Sequence, residues 1–178
     1  MKTYIVLLRA INVGGTGKLA MARLRELCEQ AGFQQVRSYI QSGNLVLRSQ
    51  LPEAKVQASL EALLEMEMGR PYGVFVRTPQ ELAAVLKANP YPEAQVVFLH
   101  QAPPQAWLEE VHAPDGEEVT LGTKEVYIYY PNGMGRSKFK LPGLKLGTGR
   151  NLNTQQGTGL GLAMAYGIVQ QHNGMINV

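Results

Sequence analysis

Residues 36–49, VRSYIQSGNLVLRS, decide the reading of this chain. Val36–Ile40 and Asn44–Ser49 are two short β-rich runs, and the QSGN between them is turn chemistry, so the segment reads as a hairpin. Working back, AMARLRELCEQAGF places Met21, Leu24, Leu27, Cys28 and Ala31 at helical spacing, with Gly32 as the natural stop. Before it, Thr3 to Arg9 is strand-like. Working forward, EAKVQASLEALLEMEM is a second amphipathic helix entered through Pro52, and YGVFVR is a fourth strand. The order β-α-β-β-α-β is the split βαβ unit of ferredoxin-like folds.

The pattern then partly recurs. TPQELAAVLKANP is a connecting helix with Thr78 as N-cap and Pro79 at its first position. AQVVFLHQ is a strand and PPQAWLEEV a short helix. EEVTLG and EVYIYY form a hairpin across Thr123 and Lys124, and RSKFKLPGLKLG has weak helical character interrupted by Pro142. The second half thus reads β-α-β-β-α, without its last strand. The expected fold class is α+β, with two ferredoxin-like halves packed together and a C-terminal helix. The expected division is residues 1–77 for the first half, 78–93 for the connecting helix, 94–155 for the second half and 156–178 for a largely helical tail.

The chain has 178 residues, 45% of them hydrophobic, and a net charge of +3, which supports a real core but is too weakly basic to claim nucleic acid by itself. Its one cysteine, Cys28, excludes an internal disulfide framework and a Cys-rich zinc site, and its place in a helix favours a core thiol. No apolar run reaches the ~18 residues of a membrane helix. Arg9 interrupts the N-terminal apolar stretch and no small-residue cleavage site follows, so a secretory leader is not expected. A soluble, cytoplasmic protein is expected.

INVGGTGKLAMARL, residues 11–24, looks like a phosphate loop. As a P-loop it fails at both ends: the leading glycine falls on Asn12 and the magnesium-binding hydroxyl on Leu19. Gly15, Gly17 and Ala20 fit the dinucleotide pattern, but no acid lies in the segment roughly 20 residues on. The topology offers another role. In a split βαβ unit the first two strands run the same way, so the loop leaving the first lies beside the hairpin of the second and third. That gathers Arg9, Asn12, Gly14, Gly15 and Lys18 with Gln41, Ser42 and Asn44 at one sheet end. Glycine-rich turns and helix N-termini bind anions through backbone N–H groups. Equally, these polar residues can serve only to satisfy their own turns.

LLRAINVGG, Lys18, Met21 to Leu24, and YIQSGN at Tyr39 to Asn44 resemble the opening of a bacterial family of unknown function, the "domain of unknown function sixteen-ninety-seven" family. Ala10 stands where that family usually has glycine. VYIYYPNGMGRSKF at Val126 to Phe139 and TGRNLNT at Thr148 to Thr154 are similar to its later motifs, with Leu152 where tryptophan is usual. The resemblance covers about the first 155 residues. It implies the tandem ferredoxin-like arrangement and no established activity.

Residues 157–178, GTGLGLAMAYGIVQQHNGMINV, are similar to something else: the second glycine box of sensor histidine kinases. The asparagine helix and the D-x-G-x-G box of those kinases are missing upstream. The tail reads as a fused fragment in which Leu160, Ala163, Met164, Gly167, Ile168 and Gln171 follow helical spacing. A packed helix is expected there, with neither ATP binding by this segment alone nor histidine kinase activity.

No catalytic constellation stands out. His100, His112 and His172 share no metal-ligand spacing, Ser42 lacks a nucleophile elbow, and Glu26, Glu29, Glu53, Glu61, Glu65 and Glu67 read as solvated helix faces. Basic and amide-rich clusters are better material: Arg136, Ser137, Lys138 and Lys140, then Thr148, Arg150, Asn151, Asn153 and Thr154. Arginine fits phosphate bidentately. Of these, Arg136, Lys138, Arg150 and Asn151 join the candidate ligand contacts, on the expectation that the two halves bring them toward the glycine loop.

Three functions follow in order. The first is a small binding module for a phosphate-bearing or nucleotide-like molecule. The second is RNA or DNA binding, weakened because the third strand, NLVLRS, carries no stacking aromatic. The third is a phosphoryl or nucleotidyl transfer enzyme, for which no magnesium carboxylates are placed near the loop. No cofactor, metal or oligomeric state can be named from the residues.

Overall fold

A computed structural model describes residues 1–9, 19–39 and 43–152. These divide into two compact units, with the boundary between Ala83 and Ala84. The first holds β1 (Lys2–Leu8), α1 (Met21–Gln30), β2 (Gln34–Tyr39), β3 (Asn44–Ser49), α2 (Glu53–Met68) and β4 (Val74–Arg77). Its sheet has the order β2-β3-β1-β4 with every neighbouring pair antiparallel, which is the split βαβ arrangement. β1 and β2 therefore run in the same direction.

The helices form where the apolar stripe says they should. Met21, Leu24 and Cys28 of α1, and Val56, Leu60 and Leu64 of α2, are buried against Tyr4, Val6 and Leu8 of β1. Each fully buried leucine there contributes about 1.5–3 kcal/mol. α1 ends as Gly32 takes φ +99°, so that the Gly32 amide donates to Glu29 and the Phe33 amide to Cys28, while Phe33 returns to the core. The alternate β1 residues, Ile5 and Leu7, are also fully buried, as are Val46 and Phe75. The central strands thus lack a wet face.

α3 (Pro79–Ala88) follows, shorter than the 78–93 expected because Pro90 and Pro92 cannot continue it. Its start is a reciprocal capping box: the Thr78 amide donates to Glu81 Oε1 (2.9 Å) and the Glu81 amide to Thr78 Oγ1 (3.1 Å).

The second sheet holds β5 (Ala94–Phe98), β6 (Glu118–Leu121), β7 (Glu125–Tyr129) and β8 (Thr148–Leu152), in the order β6-β7-β5-β8. It repeats the order of the first sheet, which corrects the expectation of a missing last strand. TGRNL is that strand, paired antiparallel with β5 from Phe98↔Thr148 to Ala94↔Leu152. A Cβ on Gly147 would run into the Phe98 carbonyl, so the close approach of β8 requires glycine.

The helices of this half differ as well. Gln105–Glu110 and Pro142–Leu146 are 3₁₀ helices. They cover a core of Val97, Leu99, Val126, Ile128 and Leu141, and the Trp107 ring sits where Gly143 has no side chain. The C-terminal helix expected at 156–178 lies outside the described residues.

Candidate functional site

The end of β1 meets two other segments. Leu7 pairs with Asn44, the Leu8 amide donates to the Gly43 carbonyl (2.9 Å), and the Arg9 amide donates to the Gly73 carbonyl (2.9 Å). The strand leaving toward the glycine loop, the β2–β3 hairpin and the entry to β4 therefore converge at one sheet end. Asn12, Gly14, Gly15, Lys18, Gln41 and Ser42 lie outside the described residues.

Two expected contacts do fall at this end. Arg9 is exposed, and a Cβ on Gly73 would sit 3.2 Å from Arg9 Cβ and 3.1 Å from the Phe75 ring. Its stem thus lies over Gly73, on the face opposite the helices. Asn44 is fully buried across from Leu7, so it shares that face.

α1 begins nearby on the helical face. Among the described residues no side chain caps it, and its first turn carries no acid. Arg23 in that turn is spent: Nε and Nη2 donate to the two Glu67 oxygens at 3.1 and 3.2 Å, and Nη1 lies 3.2 Å from Glu26. The Glu67 hydrogen bond raises the Arg23 guanidinium above its ordinary value.

The turn from α2 to β4 adds a pair that the residue types alone did not mark. Gly69 ends α2 at φ +80°, and Arg70 Nε then donates to Tyr72 Oη (3.0 Å), with its guanidinium carbon 4.9 Å from the Tyr72 ring centre. The only sequence signal was GRPYG, a turn quintet between a helix and a strand. Tyr72 packs on the helical side, so Arg70 and Arg9 belong to opposite faces.

The remaining expected contacts belong to the second unit and do not gather. Arg136 and Lys138 are exposed in a segment tied to the β6 edge: Asn132 Nδ2 donates to the Asp115 carbonyl (3.5 Å) and the Ser137 hydroxyl to the Glu117 carboxylate. Arg150 and Asn151 are on β8, at the other edge of the sheet. Arg150 donates to Thr148 Oγ1 (2.7 Å) and the Gly149 carbonyl (2.9 Å). Burial pushes its guanidinium down to about 10, which leaves it charged at neutral pH. Here the motif builds a strand rather than a glycine turn.

Several strand aromatics among the described residues have partners. Tyr4 is buried and donates to the Leu51 carbonyl (2.7 Å), and Tyr127 is buried and donates to the Val85 carbonyl (2.6 Å). Tyr129 stacks on Tyr91 at 5.7 Å, and Tyr130 meets Phe139 edge-on at 5.8 Å. A single-strand RNA platform needs exposed rings on central strands, and the central-strand rings Tyr4 and Tyr127 are buried. Among the described residues no three His, Cys, Asp or Glu side chains could hold a metal ion, and no helix is long and apolar enough to cross a membrane. Cys28 is a core thiol, pushed up to about 12 by burial.

The comparisons agree with this frame. A family model described as "Protein of unknown function (DUF1697)" matches residues 1–127. Among solved structures, the conserved bacterial protein SP0830 from Streptococcus pneumoniae is similar at 24% identity and a TM-score of 0.71, over 90% of this chain and 98% of that one. At that identity the likeness shows the fold alone. Among the curated proteins none matches. The family match ends before the kinase-like segment, which lies outside the described residues.

Proposed function

The chain belongs to the DUF1697 family, whose function is not established, and from that premise we propose that it is a small binding module for a phosphate-bearing or nucleotide-like ligand. The observation that carries the reading is the Leu8–Gly43 hydrogen bond. It joins the strand that leads into the glycine loop to the hairpin that carries Gln41 and Ser42. Arg9 at the same end has no carboxylate partner among the described residues, and the start of α1 has no side-chain cap. Backbone amides, a helix dipole and a cation are what a phosphate asks of a site. Lys18, Asn12, Gly14 and Gly15 are the loop residues proposed to contact it. A cytoplasmic setting goes with this reading, supported by a single, buried, reduced cysteine.

A thermal-shift screen with nucleoside mono-, di- and triphosphates and inorganic phosphate tests the proposal. A ligand that binds the folded chain raises its melting temperature by mass action. The expected result is a shift lost in Lys18→Ala and Arg9→Ala but kept in Arg150→Ala. No shift with any of these compounds, or a shift indifferent to both loop-end variants, would sink the proposal.

A further inference from the structure

The layer of 3₁₀ helices and turns over the second core carries two strips of opposite charge. Glu109, Glu110 and Asp115 are exposed along one, and Arg136, Lys138, Lys140 and Lys145 along the other. The strips run antiparallel and adjoin. The His112 amide donates to the Lys140 carbonyl and the Lys140 amide to the His112 carbonyl, both at 2.9 Å. Ser137 and Glu117 clasp them further along, so Glu117 is the one acid of its segment turned inward.

None of these seven exposed charges is in an ion pair within the chain among the described residues, although opposite charges lie one strip away. Both strips also carry large apolar side chains in water: Leu108 at 44% exposure on the acidic side, and Met134 and Leu146 at 42% and 58% on the basic side.

We infer that this layer is the interface of a homodimer, in which each copy lays its acidic strip on the basic strip of the other. The geometry is that of an isologous contact. A two-fold axis lying along the seam between the strips exchanges them, so every acid–base pairing occurs twice. Glu109 and Glu110 of one copy then meet Lys140 and Lys145 of the other, and Asp115 meets Arg136 and Lys138. The exposed leucines and methionine supply the apolar contact inside the charged rim. A polyanion fits less well, because the acidic strip beside the basic one would repel it. The inference is independent of the ligand site proposed above.

The test is sedimentation of the full chain with two charge-reversal variants, K140E/K145E and E109K/E110K. Because the pairings are exposed, association should weaken at least tenfold between about 50 mM and about 500 mM salt. Each variant alone should be monomeric, since like strips then face each other. An equimolar mixture of the two variants should recover the dimer, because only the mixed pair is complementary. The near-UV signal of Trp107, packed at Gly143, checks that both variants stay folded. A wild-type chain that stays monomeric up to about 0.5 mM, an affinity too weak for a specific pair, overturns the inference. So do single variants that remain dimeric, or a mixture that stays monomeric.

Discussion

The Ser137 hydroxyl donates to the Glu117 carboxylate and at the same time accepts the Phe139 amide (3.1 Å), so one side chain ties the segment after β7 to the start of β6. That bond is the main reason the Glu117 carboxyl lies below its ordinary value, aided by the Asp115 amide and by nearby His112. A carboxylate whose folded value is depressed stabilises the fold above its unfolded value, near 4.5, and the contribution is lost as pH falls through the folded value. Melting temperature followed from neutral pH down to about pH 3 should therefore fall more steeply in the wild type than in Glu117→Gln, which has no proton to take up. Equal slopes in the two proteins would show that the clasp does not contribute.

Gly147→Ala tests β8. The added carbon meets the Phe98 carbonyl, which is backbone and cannot swing aside. A loss of about 1–3 kcal/mol in denaturant unfolding is expected, the range for overpacking a tight site. A neutral effect would mean that β8 does not approach β5 as closely as its register requires.

Cys28 should be silent toward thiol reagents in the folded protein. Its thiol is fully buried and pushed up to about 12, so almost no thiolate is present at neutral pH and none is accessible. Labelling should proceed at the rate of opening and become complete in denaturant. Rapid labelling of the native chain would contradict the position of α1.

The first unit was legible because periodicity and punctuation agreed. In α1 the apolar spacing, Gly32 and Phe33 all point to one helix, and in residues 36–49 two β-rich runs flank a glycine turn. β8 was hidden because glycines at 147 and 149 and a charge at 150 break the alternation that marks a strand. Its conformation is imposed by its partner β5 and not by its own residues. The two 3₁₀ helices are legible in the sequence only as short helical segments, because their apolar residues suit either helical form.

The candidate site was legible as far as topology alone could place it. Arg9 and Asn44 do reach one end and one face of the first sheet. The Arg70–Tyr72 pair was not legible, because no spacing rule records a hydrogen bond between i and i+2 in a turn. Arg136 and Arg150 shared a basic character but stand at opposite edges of their sheet, a separation that composition does not carry.

The place of β1 in the middle of its sheet has a consequence for synthesis. Lys2–Leu8 is translated before both strands that flank it, and its pairings run to Ser49 on one side and Arg77 on the other. Until Arg77 has left the ribosome, the nascent chain carries an almost wholly apolar segment with at least one open edge, the kind of surface that holdase chaperones shelter. The first unit therefore closes late and all at once, and slowing translation just before residue 77 should lengthen the window in which it aggregates.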